Sequence, residues 1–275
     1  MAGCRAFRCG LRPRRKAAAR NLAMRRGFGF CGAGFALILR PSPFFCRVVL
    51  PDAPARPAKP ALLDPRDVPR RRPGSPAGRI ALLHAVGHIE LNAVDLHWDI
   101  IARFTDHPMP LGFYDDWVKA ADEESKHFNL LCDCLEAAGS HYGAMPAHAG
   151  MWKAAEDTVA DLKGRLAVVP MVLEARGLDV TPGMIELFTR VGDTDTKAAL
   201  DIIYAEEVSH VAYGSKWFNW LCGRDGLDPK EAFHALVRRY FHGLLKPPFN
   251  EEKRAEAGLP PDFYWPLVDA DPAGI

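Results

Sequence analysis

The chain has 275 residues, 48% of them hydrophobic, and a formal net charge of +1. That length suits one large domain or two small ones, with apolar content enough for a sizeable core. Near-neutrality gives no general reason to expect nucleic acid or acidic lipid as partner, and the seven cysteines include no CxxC pair, so neither a zinc knuckle nor a disulfide framework is indicated. Reduced thiols in a cytoplasmic protein are the expectation.

The charge is unevenly placed. Residues 1–51 hold eleven Lys/Arg and no Asp/Glu, so the remainder is net acidic. Residues 1–50 read as an atypical basic extension without defined structure. Its apolar stretch GFGFCGAGFALIL covers only residues 27–39 before Arg40-Pro41, whereas a membrane span needs roughly 20 residues, so no membrane insertion is expected. An Arg-rich, acid-free start fits an organelle transit peptide, and RRGF resembles a twin-arginine export signal. The favoured reading is a misplaced start or local frameshift, since no small-residue cleavage site follows the apolar run. Residues 51–79 are rich in proline, cannot form a helix interior, and read as an extended strap over the folded body, or as a linker. The arginine run 70–72 reads as a solvated patch, with a nucleic-acid contact the lesser alternative.

Helical signals begin at Ser75, an N-cap candidate followed by Pro76. A first helix is predicted to about Phe104 and a second over roughly 113–138, closed by Gly139. A third is predicted over roughly 152–176, kinked by Pro170, stopped by Gly177 and blocked by Pro182. A short helix follows to Arg190, and the longer 176–193 connection would serve as a crossover. A fourth long helix starts after Asp193 and runs to about Cys222, stopped by Gly223. An accessory helix is capped by Asp228-Pro229 and reaches about His242. Helices of about 24–30 residues are about 36–45 Å long and bury their apolar stripes most simply against one another. The expected fold is all-α: an antiparallel four-helix bundle with its accessory helix over residues 80–245, and a Pro/aromatic tail over 246–275.

Chemistry enters with two repeated heptapeptides, DEESKHF (residues 122–128) and AEEVSHV (residues 205–211). Residues three apart share a helix face, so Glu124 with His127, and Glu207 with His210, can each aim an oxygen and a nitrogen at one point. A di-metal carboxylate site of the ferritin-like kind needs two such helices plus one inward Glu from each of two others. Glu90 is the lone Glu of the first helix, in the apolar run HIELNAV. On the third helix Glu174 sits in an apolar run, whereas Glu156 reads as a wet face. Glu90 precedes Glu174 by 84 residues; Glu124 precedes Glu207, and His127 precedes His210, by 83. The chain thus reads as two helical hairpins related by a near-duplication.

The remaining polar residues are weighed against this frame. Glu123 and Glu206 point about 100° away from the ligand direction, toward solvent or outer contacts. Asp95 or Asp99 is the expected acceptor for the second nitrogen of a metal-binding imidazole. His97 can line a substrate pocket or be a satisfied core histidine. Tyr204 is a candidate redox-active or hydrogen-bonding neighbour, or plain core. Glu231 and His234 form a third E-x-x-H outside the repeat and read as a surface pair. Four carboxylates and two imidazoles suit two iron ions, with manganese the alternative. The chemistry expected first is O₂-dependent oxidation or hydroxylation of an unidentified organic substrate, with a separate electron donor. A ferroxidase or a metal-stabilised scaffold is the alternative.

GSPAGRIALLHAVGHIELNAVDLHWDIIARF, WVKAADEESKHFNLL, VLEARGLDVTPGM and IIYAEEVSHVAYGSKWF together resemble the ferritin-like "domain of unknown function 455" family. The resemblance covers about residues 52–265 and leaves out the first fifty. It implies a ferritin-like fold and the ligand set Glu90, Glu124, His127, Glu174, Glu207 and His210, with no settled activity. A more distant likeness, of fold alone, is to di-iron hydroxylases that modify tRNA, which places an RNA base beside small molecules as a substrate class. A homodimer is compatible with such a bundle.

Overall fold

The computed structural model describes residues 50–69 and 72–268; residues 1–49 of the basic extension, Arg70 and Arg71 lie outside that description. The described chain is all-α apart from one two-residue pair. Strand β1 (Leu62–Leu63) pairs in parallel with β2 (Ala147–His148), Leu62 opposite Ala147. Between them run α1 (Pro76–Arg103) and α2 (Leu111–Ala137), and after them α3 (Gly150–Asp157), α4 (Leu162–Val168) and a π-helical segment (Val169–Glu174). Next come α5 (Ala175–Arg190), α6 (Thr194–Asp225), α7 (Pro229–Tyr240), α8 (Glu251–Glu256) and α9 (Pro261–Tyr264). No described helix is long and apolar enough to cross a membrane.

Local chemistry sets most boundaries. The Ser75 hydroxyl accepts from the Gly78 amide at 3.0 Å, satisfying one of the orphan donors at the start of α1. Asp161, Asp193 and Asp228 do the same for α4, α6 and α7. Gly139, at φ +75°, ends α2 as anticipated. Helix α6 runs through Gly223 and stops at Gly226, where φ is +68°; only a residue free to enter the left-handed region turns the chain there.

The third helix departs most from expectation. It is broken at Thr158–Asp161, then continues through Gly177 and Pro182 to Arg190. Proline inside a helix strands the carbonyl four residues earlier. Here that carbonyl, on Leu178, accepts from Asn250 Nδ2 at 3.2 Å, so α5 goes on. Pro170 sits at the start of the π-helical widening, and the turn to α6 shrinks to Val191–Asp193. The crossover lies elsewhere, at residues 138–161.

Two apolar clusters fix helix directions. Leu83 of α1, Leu131 and Leu135 of α2, Phe188 of α5, and Leu200 and Ile203 of α6 form one. Ile100, Trp117, Met171, Ala175, Val211 and Phe218 belong to the other. Helices α1 and α6 therefore run from the first cluster toward the second, and α2 and α5 run back. Helix α1 packs on α2, α5 on α6, and α2 on α6. The Pro-rich segment lies against this body: Arg56 donates to Asn92 Oδ1 at 2.7 Å and pairs with Asp95 at 3.0 Å, and Trp152 donates to the Asp52 carbonyl. The tail docks too, with Leu259 and Tyr264 fully buried.

Candidate metal centre

Between the two apolar clusters, each long helix carries charged residues inward. Glu90, Glu124, His127, Glu174, Glu207 and His210 are all buried, none more than 7% exposed. Ionisable groups at that depth are costly unless they are paired or bind a cation. His127 Nδ1 lies 3.3 Å from Glu90 Oε2, 3.4 Å from Glu124 Oε2 and 3.8 Å from Glu207 Oε1. His210 Nδ1 lies 2.9 Å from Glu124 Oε1 and 3.7 Å from Glu207 Oε1. Glu174 reaches the group through His97, whose Nε2 is 3.7 Å from Glu174 Oε1 and 3.8 Å from Glu124 Oε1.

Ligand atoms of Glu90, Glu124, His127 and Glu207 lie within 4.8 Å of one another, as do those of His97, Glu124 and His210. These buried groups could hold metal, and Glu124 belongs to both. Both oxygens of Glu124, both of Glu174, His97 Nε2 and His210 Nδ1 have no hydrogen-bond partner among the described residues. Buried polar atoms are nearly always satisfied. Six orphaned atoms clustered in one buried region, four of them carboxylate oxygens and two imidazole nitrogens, are what cation ligands look like.

The first glutamate of each doublet explains the repetition. His127 of α2 donates from Nε2 to Glu206 of α6 at 2.8 Å. His210 of α6 donates from Nε2 to Glu123 of α2 at 3.0 Å. Each doublet thus fixes the imidazole of the other, and both Nδ1 atoms face the cluster. Lys126 pairs with Glu206, and Lys119 stands 3.7 Å from Glu123.

The acceptor role expected of Asp95 or Asp99 therefore falls to Glu206 and Glu123. Both aspartates are buried but held by arginine: Asp95 by Arg56, and Asp99 by a two-pronged contact from Arg103 and by the buried Arg165. Tyr204 accepts from Asn250 Nδ2 at 2.6 Å, tying α6 to the tail. Glu156 is exposed, as anticipated. The E-x-x-H at Glu231 is no ligand pair: His234 Nε2 meets the carbonyls of Asp262 and Phe263.

The charges are strongly coupled. Burial works against a charged His127, yet the Glu124 and Glu90 carboxylates outweigh it and lift its pKa to about 11. His210 is also raised, burial again opposing and Glu123 and Glu124 prevailing. Burial would raise Glu124, but the neighbouring imidazoles of His127 and His210 hold it well below the usual range. Glu90 and Glu174 are pushed well up by burial and then by neighbouring carboxylates, and Glu207 is raised the same way. Burial pushes His97 down to about 3, leaving a neutral imidazole.

Fold and cluster together define a helical protein with a buried carboxylate–imidazole centre able to hold metal. The chain belongs to the family described as "Protein of unknown function (DUF455)", which it matches over residues 14–265. That match starts well before residue 52 and takes in much of the basic segment that the motif resemblance left out. A relative from Haemophilus influenzae, described as "Uncharacterized protein", is 40% identical over 210 residues, 74% of this chain and 73% of the relative. No solved structure matches the chain.

Proposed function

We propose that this chain is a ferritin-like, four-helix di-metal carboxylate protein. It would bind two iron ions and use dioxygen, with electrons from a separate donor, to oxidise or hydroxylate an organic substrate. The observation that carries the reading is the pair of reciprocal bonds, His127 to Glu206 and His210 to Glu123, which turn both Nδ1 atoms onto buried carboxylates, among them Glu124 with both its oxygens unpartnered. Glu124, common to both ligand groups, favours two ions sharing one carboxylate over a single ion.

A pair of redox-active ions with open positions supplies dioxygen binding and reduction. The chain's own part is orientation and exclusion. Glu206 and Glu123 fix tautomer and ring angle, which metal-ligating imidazoles require. Two divalent ions would balance the four carboxylates and relieve the repulsion that drives Glu90 and Glu174 upward. The apolar clusters on either side keep bulk water from the centre.

Metal analysis of natively purified protein, followed by exposure of the anaerobic ferrous form to dioxygen, tests this. Two irons per chain and an oxygen-dependent absorbance change are expected, both lost in Glu124→Ala and Glu207→Ala. Zinc alone from a metal-replete host, or no spectral response to dioxygen, would overturn it.

A further inference from the structure

We infer that His97 is a direct ligand in this centre, so that one ion of the pair receives two imidazoles and the other receives one. The inference rests on the di-metal reading above and adds a seventh protein ligand.

His97 lies on α1 seven residues after Glu90, hence on the same helix face. Its side chain is 1% exposed, and its Nε2 finds no hydrogen-bond partner among the described residues. That nitrogen stands 3.8 Å from Glu124 Oε1 and 3.7 Å from Glu174 Oε1. It is too far from either for a hydrogen bond, but one cation can sit between atoms so spaced. Bond lengths near 2.0–2.2 Å to nitrogen and oxygen place two ligand atoms of one ion roughly 3–4 Å apart. His97, Glu124 and His210 form a ligand-competent group by themselves. Glu174, whose two oxygens are both unpartnered, lies beside that group on the His97 side. The His97 ring is held edge-on by Trp117 at 5.2 Å and by His210 at 5.6 Å, so its direction is set by packing.

A satisfied core histidine would have spent both nitrogens on backbone or side-chain partners. A residue that only lines a substrate pocket would not need its free nitrogen between two ligand carboxylates.

The repeat shows what His97 changes. The 84-residue offset that carries Glu90 to Glu174 carries His97 to Thr181, which is buried and offers no imidazole. Glu90, Glu124, His127 and Glu207 would serve one ion; Glu124, Glu174, His97 and His210 would serve the other. The near-symmetric scaffold thus presents two unequal positions, and the one richer in nitrogen is the better home for the softer ion.

The test uses zinc(II) as a diamagnetic probe in the full chain. In the wild type, side-chain ¹⁵N NMR should show Nε2 of His97 moving on loading together with Nδ1 of His127 and His210. His97→Gln, which keeps the site polar, should still bind one zinc with unchanged affinity and the second more than about 100-fold more weakly, beyond what loss of an outer partner costs; a smaller loss would mark His97 as an outer partner and overturn the inference. Two zinc ions in the wild type with an unmoved His97 Nε2, or unchanged affinities in His97→Gln, would overturn this inference while leaving the di-metal reading standing. A wild type that binds fewer than two ions would overturn both.

Discussion

His127 donates its Nε2–H to Glu206 across 2.8 Å, although the two residues lie in different copies of the repeated motif. The bond links α2 to α6, and the same link runs in reverse from His210 to Glu123. An imidazole whose outer nitrogen is held by a carboxylate is a stronger, better-aimed ligand. Glu206→Gln keeps an acceptor oxygen but removes the charge. Its metal affinity should fall about 10- to 100-fold, with thermal unfolding of the metal-free protein little changed. Glu123→Gln should behave alike. Competition with a coloured chelator measures both.

Metal loading should expel protons. Without metal, His127 is held near 11 and Glu90, Glu174 and Glu207 are raised above ordinary glutamates, so the centre is partly protonated at neutral pH. Ligands must be deprotonated to bind. Affinity for ferrous iron should therefore rise with pH, and calorimetric heats should vary with buffer ionisation enthalpy. Loading should also raise the unfolding free energy, by about 2.7 kcal/mol when free metal is a hundredfold above its dissociation constant. A chelator should reverse that gain.

Asp95 gives a pH signature outside the centre. Burial pushes it up to about 6, although the Arg56 guanidinium beside it favours the carboxylate. An unfolded aspartate titrates near 3.9, so between those values the folded chain holds a proton that the unfolded chain has released. The Asp95 contribution is then fully present below about pH 4 and is lost as pH rises to and through 6. Relative to Asp95→Asn, the wild type should gain about 2 to 3 kcal/mol between pH 7 and pH 4. Urea unfolding of both proteins across that range is the check.

Gly214 of α6 faces the widened turn. A Cβ there would lie 2.6 Å from both Cβ and Cγ of Pro170, a rigid ring with nowhere to move. Gly214→Ala should destabilise the protein by about 1 to 3 kcal/mol. Because the π-helical segment ends on Glu174, the variant should also weaken metal binding, whereas Gly223→Ala, with nothing within 4 Å of its added carbon, should do neither.

Much of this was legible in the chain itself. Caps at Ser75, Asp193 and Asp228 act locally and need no tertiary knowledge. The 83- and 84-residue offsets pointed to six side chains that do lie buried around one region. What escaped depended on distant partners. Pro182 reads as a stop until Asn250, far along the sequence, takes the carbonyl it strands. The pattern of α1 offers Asp95 and Asp99 as acceptors for the two histidines, but Arg56, Arg103 and Arg165 hold both. The signal for the true acceptors was present as the doubled glutamate, E-E rather than a single E, in both motifs.

The loop system at residues 138–161 has one further consequence. Everything before it supplies Glu90, Glu124 and His127, and everything after it supplies Glu174, Glu207 and His210. Neither portion holds a whole ligand set, and each carries the carboxylate that steadies the other's imidazole. A single proteolytic nick in that loop would turn an intramolecular centre into a heterodimeric one. Re-association of the two fragments would then become a reaction driven by metal as well as by apolar burial, with the ions acting as the pin of a hinge whose leaves are otherwise separate.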